Sequence, residues 1–542
     1  MRDEIAMAAR FVRDFRGLVQ DPPTVADGRR RLAAAVAARS RTFMHTLEHG
    51  VFANPRSPYR PLLRRAGVTL PDVAGWVAAA GVEGALARLA AAEVYVTLDE
   101  FKGRAPIRRP GLEVPVEARA FDNPLPTPHF EAESGGSRGR QRRGARVRVS
   151  LELIAHEALS DLVFLDAIGA RGRPMAVWWP VPPAVAGIKV LLRMARLGIR
   201  VERWFTQTPP GWRAGHWRYA GFTWLAVTLG RILGRPLPRP RHTPLDRADL
   251  VAAWLAERAA RGTPAHLDAT AGSAVRACQA AREHGLDIRG TIFRVGGEPL
   301  TPARARIVAE AGGRVFGHYN VSEPGRIGVA CAAAEAPDDV HVALDKVAVI
   351  RRARAVGGTG PAVDAILCTT IHPASPKLLL NVELGDHAVF EERACGCPFD
   401  ALGYRLHLHT IRSYEKLTSE SMHFVGGDLL RLLEDVLPAR FGGAPTDYQL
   451  VEAEEDGVAR VSLVVSPRVG PVDESALLAV ALEALGAGPD GHAMMAAYWR
   501  DAGTLRVVRR EPYATGAGKI LPLHLLGTRA GGAPPPAPTP RP

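Results

Sequence analysis

Apolar residues recur at helical spacing through the first hundred positions, most clearly over 29–41 and 73–92, and predict a helical region over residues 1–105. A Pro-rich extended stretch follows over 106–126. From about 127 short β-like runs alternate with amphipathic helices. MAVWW (175–179) leads to a helix over 184–198 and then to IRVERWF (199–205). PAHLDAT (264–270) leads to a helix over 272–284, GTIFRVGG (290–297) to a helix over 302–311, and RVFGHYN (314–320) follows. Such alternation predicts parallel α/β layers. Over 340–410 the apolar runs HVALDKVAVI, DAILCTTI, KLLLNVEL and YRLHLHTI are separated by turn signals with no helix between, which predicts an antiparallel β subdomain. After Arg412 a smaller unit begins, with helices expected at 427–436 and 473–486 and strands near 447–453, 458–465 and 504–509.

The fold class this pattern predicts is α/β with α+β character. A large domain runs over 106–411 and a small C-terminal domain over 412–530, and the Pro-rich 531–542 reads as a disordered tail. A chain of 542 residues, 47% hydrophobic and 23% charged, supports a sizeable core and more than one domain. The net charge of +13 comes largely from scattered arginines, and no nucleic-acid motif accompanies it, so nucleic acid is not an expected partner. Five cysteines do not form a secreted disulfide framework. The N-terminus lacks the apolar core of a signal peptide, and the stretches 175–192 and 219–233 are too interrupted to span a membrane. These features together lead us to expect a cytoplasmic protein.

Four segments carry candidate chemistry. Ser134-Gly-Gly-Ser-Arg-Gly-Arg-Gln141 combines glycines that bring N–H groups close to an anion with hydroxyls and guanidinium groups. It makes Ser134, Gly136, Ser137, Gly139 and Arg140 candidate polyphosphate contacts, although such a loop is more often only a loop. Gly296-Gly297-Glu298 ends a strand, where α/β folds bind ligands. One helix later, Tyr319 offers a flat ring for a nucleobase, with Asn320 beside it, while Ser322 offers a hydroxyl and Glu323 a hard oxygen ligand for Mg²⁺. Asp386, after Leu384-Gly385, is placed to hold ribose hydroxyls. Lys519, in Gly516-Ala-Gly-Lys519, is free to reach into a separate site and neutralise developing charge.

In their order these segments resemble the adenylate-forming superfamily of acyl-CoA ligases, luciferases and peptide-synthetase adenylation domains, and within it the phenylacetate–CoA ligase and acyl-protein synthetase branch. The resemblance spans about residues 110–525. It implies ATP and Mg²⁺ as cofactors, with Tyr319 stacked on adenine, Ser322 at the α-phosphate, Glu323 on the metal and Asp386 on the ribose. Arg412 corresponds to the hinge arginine, Lys519 to the catalytic lysine, and the C-terminal domain to a mobile lid. Asn320 and Tyr414 depart from the family pattern, the latter standing where the hinge aspartate is usual. The implied reaction activates a carboxylic acid as acyl-AMP and passes the acyl group to a thiol. Coenzyme A is the leading acceptor, a protein or carrier-protein thiol is the alternative, and a catalytically idle nucleotide-binding relative is the third reading.

Cys331, His341, Cys395 and Cys397 form a Cys₃His set suited to a closed tetrahedral zinc site, a cluster of the kind some members of that branch carry. The same residues also read as buried thiols and a surface histidine, and Cys278 and Cys368 read as core. Small or apolar residues expected at the acid pocket, Ala269, Thr270, Ala271 and Val295, suggest an uncharged substrate tail.

Overall fold

The computed structural model describes residues 2–133, 146–182, 184, 186–208, 217–355, 362–413, 416–419, 422–425, 431–443, 447–455, 458–487, 496, 499–501, 503–513 and 523–525. Its centre is one sheet of twelve strands. From one edge to the other the order is Val347–Ala355, Ala362–Thr370, Val382–Glu392, Leu406–Ser413, Val340–Val342, Gly325–Ala330, Arg314–Val321, Ile292–Gly296, His266–Thr270, Met175–Trp178, Val201–Thr206 and Pro240–His242. The expected parallel layers and antiparallel subdomain are therefore two halves of a single sheet.

Arg314–Val321 joins the halves. It pairs in parallel with Ile292–Gly296 and antiparallel with Gly325–Ala330. On its parallel side each strand returns through a crossover helix, as parallel pairing requires. Leu151–Ala167, Ala186–Arg196 and Arg2–Val19 cover one face, and Ala248–Ala260, Ala271–Glu283 and Pro302–Glu310 cover the other. Chain order reverses between Met175–Trp178 and His266–Thr270. That reversal opens a crevice at the carboxyl ends of the strands, the usual place for a ligand in such a sheet.

The N-terminal helices pack into the cores of the large sheet. Phe11, Phe15 and Leu32 share a core with the Leu151–Ala167 helix, while Phe43, Tyr59, Val77 and Leu86 share another with the antiparallel strands. Among the described residues one helix, Leu70–Ala91, is long and apolar enough to cross a membrane by composition alone. Gly81 breaks it with φ +71°, and Val73, Val82, Ala85 and Leu89 are buried in the second core. The C-terminal strands form a separate four-stranded sheet, in the order Leu505–Arg509, Val458–Val465, Tyr448–Glu455, Leu523–Leu525. With the Glu474–Gly486 helix they enclose a core of their own around Leu450, Leu463, Leu477 and Trp499. Where a helix was expected at 427–436, a π-helical turn runs over Arg431–Val436.

Candidate active site

The carboxyl end of the Arg314–Val321 strand gathers several expected residues. A bulge between Tyr319 and Asn320 leaves Tyr319 half-buried and Asn320 exposed. The Tyr319 hydroxyl donates to Asp386 Oδ2 at 2.8 Å. Asp386 reaches this point because Gly385, at φ +82°, turns the Val382–Glu392 strand just before it. An aromatic ring and a carboxylate 67 positions apart in sequence thus meet near the carboxyl end of this strand. Ser322, partly exposed, lies in the turn that follows.

Glu323 closes that turn and is 3% exposed. Its Oε1 accepts from Lys102 Nζ at 2.5 Å, an ammonium delivered by the N-terminal segment. In this arrangement one oxygen of the carboxylate is already paired with a lysine. Among the described residues no cluster of metal-ligating groups includes it. The expected Mg²⁺ ligand Glu323 is thus held by Lys102 in this arrangement, and no step below runs through a metal there.

Two further candidates are engaged elsewhere. The Glu298 side chain is fully buried, and its Oε2 accepts from the Gly272 N–H and from Arg304 Nη1, each at 2.8 Å. It thereby sits at the positive end of the Ala271–Glu283 helix. Its neighbour Gly297, at φ +78°, makes the turn after the strand and is exposed. Arg412 is paired with His387 while Asp386 is paired with Ser413, so the pleat sends Arg412 to the face opposite Asp386. There its Nη1 donates to Asp338 Oδ2 at 2.7 Å. Ser134, Gly136, Ser137, Gly139, Arg140 and Lys519 lie outside the described residues, although the strands Phe130–Glu133 and Arg146–Val149 pair antiparallel on either side of the serine–glycine loop.

In shape the chain resembles a solved structure of 2-hydroxyisobutyryl-CoA ligase in complex with 2-HIB-AMP and CoA in the thioesterification state, with a TM-score of 0.54 at 14% identity over 92% of this chain and 90% of that one. The fold is that of the adenylate-forming enzymes. An amide bond synthetase from Marinactinospora thermotolerans is also similar, at TM-score 0.41 and 14% identity over 94% of this chain and 98% of its own. So is an o-succinylbenzoate CoA synthetase from Bacillus subtilis, at 0.38 and 12% over 76% and 71%. No family model matches the sequence, and no curated protein matches it.

On this adenylate-forming fold the Cys₃His set converges. The ligand atoms of Cys331, His341, Cys395 and Cys397 all lie within 4.8 Å of one another. His341 Nε2 stands 3.1 Å from Cys397 Sγ, and Nδ1 lies 2.6 Å from the Tyr404 carbonyl, which fixes the ring with Nε2 toward the sulfurs. The Cys331 thiol and His341 hold Cys397 down to about 3, while Cys331 itself is pushed up. Three thiols, one imidazole and a carbonyl orienting that imidazole fit a closed structural zinc site. Cys278 and Cys368 are buried alone, and burial raises each thiol to about 12.

The largest feature not foreseen lies under the parallel half of the sheet. Glu157, Asp161, Lys189, Arg193, Asp268, Arg294, His318, Arg326 and Lys346 form a connected group, none more than 7% exposed. The available signal was charge at i,i+4 inside apolar helical runs: Glu157 and Asp161 in LIAHEALSDLVF, and Lys189 and Arg193 in GIKVLLRM.

Proposed function

We propose that this chain joins a carboxylic acid to AMP at the expense of ATP and passes the acyl group to a thiol, with coenzyme A as the leading acceptor. The Tyr319–Asp386 hydrogen bond at the crevice carries this reading, because it supports an adenine platform and a ribose carboxylate in one place. In the first step a carboxylate oxygen bonds to the α-phosphorus, the α–β bridging bond breaks, and pyrophosphate leaves. In the second the thiol sulfur bonds to the acyl carbon, AMP departs, and the thiol proton is released. The neighbour solved with an acyl-AMP and CoA on this fold supports that order. Magnesium, if it accompanies the nucleotide, needs ligands other than the Lys102-bound form of Glu323. The Cys₃His cluster, with zinc, would tie the antiparallel half of the sheet together.

Acid-dependent exchange of pyrophosphate into ATP tests the reading. Exchange is expected with the wild-type chain and lost in Lys519→Ala, while ATP binding persists in that variant. Full exchange in Lys519→Ala would overturn the role of the lysine. A second reading, a nucleotide-binding relative without catalysis, is favoured by the Lys102–Glu323 pair, which occupies the carboxylate expected to hold the metal. ATP binding with no exchange across an acid panel would select it.

A further inference from the structure

We propose that the acid substrate carries a second anionic group at its far end, and that Lys189, Arg294 and His318 receive it beneath the parallel sheet. This rests on the adenylation reading above and names the class of acid.

The pleat decides which residues share a face of the sheet. Asp268 is paired directly with Arg294, and Arg294 with Phe316, so these three project to the face covered by Leu151–Ala167 and Ala186–Arg196, and His318 follows two positions after Phe316. Ala269 and Val295, expected to line an uncharged pocket, project the other way into the apolar core against Ala248–Ala260 and Ala271–Glu283. The uncharged tail expected from them therefore lacks its lining.

On the charged face the acids are fully engaged. Asp161 takes Arg193 Nε at 2.7 Å, Arg294 Nη1 at 2.8 Å and Arg326 Nη1 at 2.6 Å. Glu157 takes Lys346 Nζ at 2.7 Å and the Arg326 N–H at 2.9 Å on one oxygen, and Arg193 Nη1 at 3.3 Å on the other. Asp268 takes the Trp179 indole N–H and Arg294 Nε. Asp345, next to Lys346 in sequence, pairs with His156 at 2.5 Å.

The donors are not all engaged. Five basic side chains face the three carboxylates Glu157, Asp161 and Asp268. Lys189 is 7% exposed and, among the described residues, has no ion pair or hydrogen bond, although Glu157, Arg193, Lys346 and Arg326 surround it. Arg294 Nη2 is buried without an acceptor. The Ala330 N–H donates to His318 Nδ1, which places the ring proton of the neutral imidazole on Nε2, and that buried donor also lacks an acceptor. Buried cations and donors without partners cost several kcal/mol unless a ligand supplies the missing acceptor. Phe164 packs edge-on against both His318 (4.9 Å between ring centroids) and Phe316 (5.4 Å). The reacting carboxylate would sit at the crevice by Tyr319 and Ser322, so the anion these donors await belongs to the other end of the substrate.

Pyrophosphate exchange is measured on the full chain with succinate, glutarate and adipate against butyrate, valerate and hexanoate, and with phosphonoacetate to separate a phosphonate from a carboxylate. The proposal expects kcat/KM for the best dianionic acid to exceed that of its uncharged-tailed partner at least about tenfold, the weight of one charged hydrogen bond. It also expects that ratio to collapse in Lys189→Met, a change that removes an unpaired buried charge and leaves folding intact. Faster exchange with the monoacids would overturn the proposal and keep the adenylation reading. Absence of exchange with every acid removes the adenylation reading. The anion site is then judged by melting temperature alone: a rise with dianionic acid in wild type that is absent in Lys189→Met supports it, and equal shifts refute it.

Discussion

The Tyr319 hydroxyl and the Asp386 carboxylate meet at 2.8 Å, one from the strand that joins the two halves of the sheet and the other from the antiparallel half. The pair can be dissected by substitution. Tyr319→Phe keeps the ring and removes the donor, so the loss is expected to be small, about 1 kcal/mol of ATP affinity. Asp386→Asn removes the charged acceptor for both the hydroxyl and a ribose, and is expected to raise KM for ATP at least about tenfold, the scale of a charged hydrogen bond. Steady-state exchange at varied ATP separates the two, and a Tyr319→Phe defect as large as that of Asp386→Asn would contradict the assignment.

Lys102 and Glu323 form a buried ion pair whose side chains are 6% and 4% exposed. Removing one member of such a pair leaves charge behind, and Lys102→Met is expected to cost about 3 kcal/mol by urea denaturation. Freed of the ammonium, Glu323 would become available to a divalent cation. MgCl₂ is then expected to raise the melting temperature of Lys102→Met more than that of wild type, and an equal response would show that Glu323 takes no metal even when released.

The Cys₃His cluster is expected to bring about one zinc per chain through purification, measured by elemental analysis. Removal with a strong chelator is expected to lower the melting temperature, and Cys397→Ser to do the same while abolishing the chelator's effect. Metal content near zero in wild type with unchanged stability would leave the four residues as packing alone.

Lys189 gives a pH signature. Burial, which outweighs the attraction of Glu157, lowers its ammonium to about 8 from an ordinary value of 10.5. The unfolded chain holds the proton more tightly, so the penalty is fully present below about 8 and fades as pH rises toward 10.5. Lys189→Met is therefore expected to stabilise the ligand-free chain at pH 7, by up to about 3 kcal/mol. That gain should shrink toward zero near pH 10.5, as read by melting temperature across pH. A gain independent of pH would place the ammonium in contact with water.

The alternation of β-like and helical runs was enough to draw the parallel half of the sheet. The helix expected over 272–284 is Ala271–Glu283, and the strand expected over 314–320 is Arg314–Val321. Tyr319 and Asp386 were singled out by short local motifs, and their meeting in space rests on the pairing of two distant strands. The same motif does not reveal that the Glu298 carboxylate accepts from Gly272 at the start of the neighbouring helix. Strand register, which no single segment states, sends Arg412 toward Asp338.

Local pattern alone determined which segments become strands and helices, since side-chain period and turn residues act over a few positions. Tertiary structure alone decided that Lys102 meets Glu323, that four metal-type ligands separated by up to 66 positions converge, and that Lys189 faces a buried group with more cations than carboxylates. Each of these depends on register and layer packing between distant segments, and burial then changes the energy of every charge it encloses.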